Sequence, residues 1–221
     1  MTSSVFAFDA YGTLFDVHAA IGRHRDRVGP DAARVSELWR TKQLEYTWTL
    51  TLAGHYLDFW AVTERALDHA LTCFPAVDKR LKPQLLESYL KLDAFPEALA
   101  ALDALRERKV HTAILSNGSP FMLTQAVEAA GLDGALDAVL SVDAIHLYKP
   151  HPDVYRLVTH AFDVAPSDVV FVSSNRWDVM GAASFGFRTA WINRARKPDE
   201  YGELPPGVVL DNLRKVVGLI S

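Results

Sequence analysis

The stretch "VFAFDAYGTLFDV" at residues 5–17 places one acid, Asp9, directly after an apolar run, with Gly12 and Thr13 close behind. A carboxylate there can act as a nucleophile. It attacks an electrophile, forms an ester, and divides one hard displacement into two easier steps. An aspartate that cleaves phosphate esters wants a second acid two residues on, to protonate the leaving oxygen. Here that position is Tyr11. A phenol with a pKa of roughly 10 is a poor donor at neutral pH. Halide leaves as a stable anion and needs no proton. Asp9 followed by Tyr11 therefore suits scission of a carbon–halogen bond.

Further polar groups follow later apolar runs. "HTAIL" (111–115) leads into Ser116, Asn117 and Gly118, whose hydroxyl and helix-start N–H groups can hold an anion. Lys149 lies in "YKP" and is expected to keep Asp9 ionised and in register. "DVVFV" (168–172) leads into "SSNRWD", in which Asp178 can polarise a water that Ser173 and Asn175 orient. Thr13 can hold Asp9 or the same water. Arg40, Gln43, Leu44, Thr47 and Trp48 follow i, i+3, i+4, i+7, i+8 spacing and share one helical face. Val35, Leu38, Trp39 and Tyr46 lie on another face, suited to burial. The Arg40 face can look into a crevice, where a guanidinium would receive a departing anion. Pairing with Glu37 is the alternative for Arg40.

The elements that must position these groups alternate. Short apolar runs at 5–8, 111–115, 137–142, 168–172 and 188–192 read as buried strands. Stretches 96–108, 120–131 and 152–162 have helical spacing, the last two with Pro at a first-turn position. This is an α/β pattern: a Rossmann-like parallel sheet with helices on both faces. Residues 16–93 break the rhythm with helical patterns only, and are expected to form an inserted helical cap. The expected organisation is a core of 1–15 and 94–221 with a cap of 16–93. Ligands sit beyond the carboxyl ends of such strands. Asp9, Ser116, Asn117, Lys149 and Ser173–Asp178 should therefore converge under the cap.

Composition narrows the classes. The chain has 221 residues, 49% hydrophobic and 23% charged, with net charge −4 and no basic block, which argues against a nucleic-acid surface. No apolar stretch reaches the ~18 residues of a membrane helix. The N-terminus reads as a first strand and not a signal peptide. Cys73 is the single cysteine, which suits a reducing compartment and a cytoplasmic location.

"FDAYGTLFDV", "WRTKQLEYTW", "ILSNGSP", "SVDAIHLYKP" and "FVSSNRWD", with "FGF" and "WINR" beyond, together resemble the L-2-haloacid dehalogenases of the haloacid dehalogenase superfamily. The resemblance runs from about residue 5 to 194. It implies hydrolysis of small (S)-2-haloacids to (R)-2-hydroxyacids and halide. Asp9 would attack the halogen-bearing carbon with inversion, and water would then hydrolyse the ester. Ser116 and Asn117 would take the substrate carboxylate. The backbone of Ala10 and Tyr11 would touch substrate, Arg40 would meet substrate and halide, and Tyr155 would be a further site residue. Trp177 would help wall the reacting carbon from water. Relatives lead us to expect a homodimer and no cofactor.

Substrate and nucleophile are both anions. At 4 Å they repel by about 4 kcal/mol at an effective dielectric of 20, roughly three decades in rate. Lys149 and Arg40 are the cations available to offset this. Phosphatases of the superfamily usually carry Gly-Asp-Ser-x-x-Asp after a late strand, with the acids holding Mg²⁺. Ser174 stands in place of the first acid, and no metal is expected. The rival readings are a Mg²⁺-dependent phosphatase, hydrolytic opening of a strained ring on a small amino acid, and a non-catalytic anion-binding protein. Arg176 is unexpected inside "SSNRWD", where a long cation would alter access or halide release.

Overall fold

The computed structural model describes residues 5–220. Its strands are β1 (Val5–Phe8), β2 (His111–Ser116), β3 (Ala138–Ser141), β4 (Val169–Ser173), β5 (Arg188–Ile192) and β6 (Val208–Leu210). They form one six-stranded sheet in the order β3-β2-β1-β4-β5-β6, every neighbouring pair parallel. Every residue of β1 and β4 is buried, whichever way it points. Side chains alternate between faces along a strand, so both faces of the sheet are covered. Between β1 and β2 come α1 (Ala19–Gly22), α2 (Arg25–Val28), α3 (Ala32–Leu52), α4 (Phe59–Cys73), α5 (Lys82–Leu90) and α6 (Ala98–Glu107). After β2 follow α7 (Pro120–Ala129), α8 (Pro152–Phe162) and α9 (Arg176–Phe185).

One strand expectation is corrected, and one strand was not expected. Most of the 137–142 run is not buried: β3 is an edge strand whose residues are half-buried or exposed, and only Val142 just beyond it is buried. β6, on the other edge, carries no sequence signal beyond "VVL" after Pro-Pro-Gly. Edge strands pack on fewer neighbours, so their hydrophobic pattern is weak. The four-residue α1 and α2 are too short to show periodicity.

The connection out of β1 runs to β2 on one side, and the chain later returns at β4 on the other. Strand order reverses there, and the carboxyl ends of β1, β2 and β4 flank one crevice. Phe8 pairs with Ile114 and with Val172. The next residue of each strand or turn, Asp9, Leu115 and Ser173, therefore lies at the same level.

Helix α3 shows why its face is not the one its pattern suggests. Its buried residues are Ala32, Val35, Ser36, Trp39, Gln43 and Thr47. Gln43 and Thr47 thus belong to the helical interior and not to the crevice, while Leu38 and Tyr46 are only half-buried. The reason is a polar seam. Gln43 donates to Thr63 Oγ1 (2.9 Å) and accepts from the Tyr89 hydroxyl (3.2 Å), and Trp39 Nε1 donates to the Thr63 carbonyl (2.9 Å). Hydrogen-bonded in this way, a buried amide costs little. Among the described residues no helix is long and apolar enough to cross a membrane.

Candidate active site

The Asp9 carboxylate is the hub. Its side chain is only 6% exposed and makes four hydrogen bonds. Oδ1 accepts from Lys149 Nζ (2.9 Å), while Oδ2 accepts from Asn175 Nδ2 (2.7 Å), Thr13 Oγ1 (3.0 Å) and Ser173 Oγ (3.3 Å). Such saturation fixes the direction of the carboxylate. The supporting atoms are held in turn. Ser174 N–H donates to Thr13 Oγ1 (2.8 Å), and Asn175 N–H to Ser173 Oγ (3.0 Å). Asn175 occupies the N-cap of α9 without capping it, its side chain being committed to Asp9 and to the Tyr11 carbonyl (3.2 Å).

Lys149 is buried, 1% exposed, and its ammonium has three partners: Asp9, Asp178 Oδ2 (2.7 Å) and the Leu115 carbonyl (3.0 Å). All three N–H bonds are used. Burial acts to lower the lysine pKa, but the charges of Asp178 and Asp9 prevail and raise it above the usual value. Asp178 sits in the first turn of α9, where an acid is also favoured by the helix N-terminus. Burial pushes its carboxyl up to about 6 against the pull of Lys149, and Asp9 adds to the rise. Tyr155, fully buried on α8, donates to Asp178 Oδ1 (2.8 Å). Burial and the charge of Asp178 raise this phenol well above its usual pKa, so it stays a donor.

One prediction follows from Asp178. If it serves as the base for water, it must be ionised, and its pKa is raised. The base form is therefore lost as pH falls through about 6 in the free enzyme, and at somewhat lower pH in the ester, where Asp9 no longer carries the charge that adds to the rise. Ester hydrolysis should slow about tenfold per unit below the pH at which Asp178 takes up its proton in the ester, and be insensitive to this group above about 7. Rapid-quench measurement of the ester step from pH 4.5 to 8 would reveal the acid limb, and a flat profile would remove Asp178 from that role.

Tyr11 is buried, its hydroxyl has no hydrogen-bond partner, and its ring stacks on Tyr89 at 5.7 Å and tilts against Phe59 at 5.6 Å. Burial and Tyr89 raise its pKa well above that of a free phenol, which makes it a weaker acid still. Gly118 permits this packing: a Cβ there would lie 2.7 Å from the Tyr11 ring. Ala10 is buried, its carbonyl turned to Thr13, Leu14 and Phe15 N–H groups.

Ser116 and Asn117 are buried at the end of β2, beside the Leu115 carbonyl that Lys149 touches. Neither caps α7, a role taken by Ser119. Ser116 Oγ accepts from Gly118 N–H (3.0 Å), and Asn117 Oδ1 accepts from Lys149 N–H (3.0 Å). Arg40 reaches over from α3 and donates to the Tyr11 carbonyl (3.2 Å). Trp177 meets Trp48 of α3 edge-on at 5.4 Å. A cavity of about 710 Å³ is lined by Arg40, Leu44, Gly12, Asn175 and Trp177 among others, but the lining stops short of Asp9.

Every residue expected at the site is thus brought to one end of the sheet. The donor set does not fit a magnesium ion, which wants several hard anionic oxygens. Ser174 replaces an acid, and the Asn175 amide lies between Asp9 Oδ2 and the Tyr11 carbonyl, where a cation would need to sit. Among the described residues no group of three His, Cys, Asp or Glu side chains can hold a metal.

The profile of the haloacid dehalogenase-like hydrolases matches residues 4–186. The chain is 48% identical over 214 residues to (S)-2-haloacid dehalogenase 1 of Pseudomonas sp. strain CBS-3, covering 96% of this chain and 94% of that one. The chain belongs to the haloacid dehalogenase-like hydrolases, in the branch of the (S)-2-haloacid dehalogenases. Another branch member, (S)-2-haloacid dehalogenase 4A of Burkholderia cepacia, is 47% identical, with 97% and 93% covered. The L-2-haloacid dehalogenase of Xanthobacter autotrophicus, solved with chloropropionic acid covalently bound, superposes with a TM-score of 0.88. It is 36% identical, with 98% and 97% covered.

Within this family framework, the expectation for Arg176 as a cation altering access or halide release is corrected, and two further residues, Gly181 and Arg194, had no role in the sequence. Arg176 is 4% exposed and does not face the hub as a free cation. It pairs with Asp199 (2.6 Å) and donates to the carbonyls of Tyr201 (2.8 Å) and Leu204 (2.7 Å), tying the 199–204 segment to the first turn of α9. Gly181 lets Tyr155 approach α9, since a Cβ there would meet the Tyr155 hydroxyl and lie 2.6 Å from Pro150. Arg194 contacts the turn after Asp9. It closes the "WINR" stretch, but its partners Thr13 and Glu97 lie 181 and 97 positions away, so that local pattern gave it no role.

Proposed function

We propose that this enzyme hydrolyses small (S)-2-haloacids to (R)-2-hydroxyacids and halide through an ester on Asp9. One observation carries the reading: a buried carboxylate is held by four donors at the carboxyl end of β1, and the neighbour that would protonate a leaving oxygen is the unpartnered phenol of Tyr11. In the first step an Asp9 oxygen attacks C2, the C–O bond forms, and the carbon–halogen electron pair leaves with the halide. Ser116 and Asn117 hold the substrate carboxylate, with the backbone of Ala10 and Tyr11 alongside. Arg40 receives the halide, and Trp177 keeps water from the reacting carbon. In the second step a water ordered by Ser173 and Asn175 loses a proton to Asp178 and adds to the Asp9 carbonyl carbon. The ester C–O bond breaks, and the hydroxyacid oxygen takes the proton back. Lys149 offsets the two carboxylates throughout, and Tyr155 orients Asp178.

Residues 16–93 act as a cap over this crevice. Trp48 against Trp177, Arg40 on the Tyr11 carbonyl, and Tyr148, whose hydroxyl donates to the Leu57 carbonyl (2.5 Å), support that division. The single exposed thiol, Cys73, suits a cytoplasmic enzyme, and the family resemblance supports a homodimer.

The test is incubation with each enantiomer of 2-chloropropionate, with and without EDTA. Chloride and (R)-lactate are expected from the (S) form alone, at the same rate in both conditions. Loss of chloride release with EDTA would mean that the reaction needs a metal, and chloride from neither enantiomer would sink the proposal.

A further inference from the structure

Asp9 is buried, and the cavity lining stops short of it. Substrate entry beneath the proposed cap would require it to shift, and the chain crosses between sheet and cap twice, near residues 12–16 and 93–97. The two crossings are zipped together. Phe15 and Ala94 form an antiparallel bridge, Asp16 N–H donates to the Asp93 carbonyl (2.9 Å), and Phe95 N–H donates to the Leu14 carbonyl (2.8 Å).

An arginine grips each end of this strap. On the cap side Arg23 donates to the Lys91 carbonyl (2.6 Å) and pairs with Asp93 (2.6 Å). On the sheet side Arg194, from the loop after β5, lies 3.7 Å from the centre of the Phe95 ring and pairs with Glu97 (2.9 Å). The same guanidinium donates to the carbonyls of Gly12 (3.3 Å) and Thr13 (3.1 Å) and to Ser174 Oγ (2.8 Å). Thr13 and Ser174 are not neutral partners: Ser174 N–H holds Thr13 Oγ1, and Thr13 Oγ1 holds Asp9.

We propose that Arg194 is a positioning residue, a fixed pivot that fastens both cap crossings to the sheet so that cap movement does not disturb Thr13 and Asp9. A planar fork with several fixed donors can bridge four oxygens and a ring, and an ammonium cannot. Glu97 completes the pivot. Burial pushes its carboxyl up, but its own backbone N–H and the Arg194 hydrogen bond outweigh this and hold it below the usual range.

The inference rests on the dehalogenation reading and is tested with Arg194→Ala, Arg194→Lys and Arg23→Ala. Halide release is followed in a single turnover of (S)-2-chloropropionate, and amide exchange is followed at Asp16 and Phe95. Arg194→Ala should slow release about 100-fold, the order expected when a reacting group drifts by about 1 Å, with KM within about threefold. Arg194→Lys should remain at least about tenfold slow. Arg23→Ala should speed exchange at Asp16 yet release halide within about threefold of wild type, because it loosens only the cap end. Release within threefold of wild type in Arg194→Ala, or equal slowing in Arg23→Ala, would overturn the pivot. Should Arg194→Ala fail to fold, Arg194→Lys decides by the same criteria. Wild-type enzyme that releases no halide would sink the dehalogenation reading instead. The exchange comparison would still decide the pivot, which needs faster exchange at both Asp16 and Phe95 in the Arg194 variants.

Discussion

Asp9→Ala is expected to abolish halide release, lowering kcat by about four decades or more, the scale of removing a nucleophile from a unit that acts together. The four hydrogen bonds on Asp9 are all to donors, and none of those donors is itself poised to attack carbon. Substrate binding should survive, since Ser116, Asn117 and Arg40 are untouched. The decisive companion is a single wild-type turnover in heavy-oxygen water. Water attacks the Asp9 carbonyl carbon, so the label should enter the Asp9 carboxylate, and the first hydroxyacid should be unlabelled. Label in the hydroxyacid with none in the protein would mean that water attacks carbon directly.

The second large effect is on Lys149. Its ammonium bridges two buried carboxylates, Asp9 and Asp178, and the arriving substrate adds a third. Lys149→Met should lower kcat about three decades, since about 4 kcal/mol of repulsion at 4 Å is left uncompensated. It should also destabilise the fold. Removing one partner from a buried ion pair costs about 3–5 kcal/mol, because the orphaned charge remains inside. At roughly 2–4 °C per kcal/mol for a chain of this size, Tm should fall about 10 °C at neutral pH. The sign with pH is clear. Asp178, whose carboxyl burial already raises, is ionised at high pH and takes up a proton as pH falls, so the Tm deficit should shrink on acidification. Calorimetry of both proteins from pH 5 to 8 checks it. An unchanged Tm together with a kcat loss below tenfold would remove Lys149 from both roles.

Why one lysine carries so much is a matter of topology. Asp9 follows β1, Leu115 is the penultimate residue of β2, Asp178 lies in the first turn of α9 after β4, and Lys149 comes from the connection between β3 and α8. Four segments distant in sequence meet because the strand order reverses at β1. Such a site is pre-organised by the sheet, so its donors pay little reorganisation when charge shifts during reaction.

Much of this was legible in the sequence. Apolar runs ending in polar residues identified the strand ends, and strand ends identified the crevice. Residue type then assigned chemistry: Asp9 as a lone acid, Tyr11 as a poor donor, Ser174 where a metal acid would stand. These are local features, and local sequence carries them. What folding alone decided is which atoms touch. Gln43 and Thr47 share helical spacing with Arg40, yet Thr63 and Tyr89 draw Gln43 into the interior between α3, α4 and α5, because a buried amide goes where its hydrogen bonds are. Arg176 sits beside Asn175 in the chain but spends its charge on Asp199. Arg194 earns its place only through Gly12, Thr13, Ser174, Phe95 and Glu97, most of them far from it along the chain. Periodicity reports one helix or strand at a time, whereas burial and hydrogen-bond partners are set by the elements packed against it.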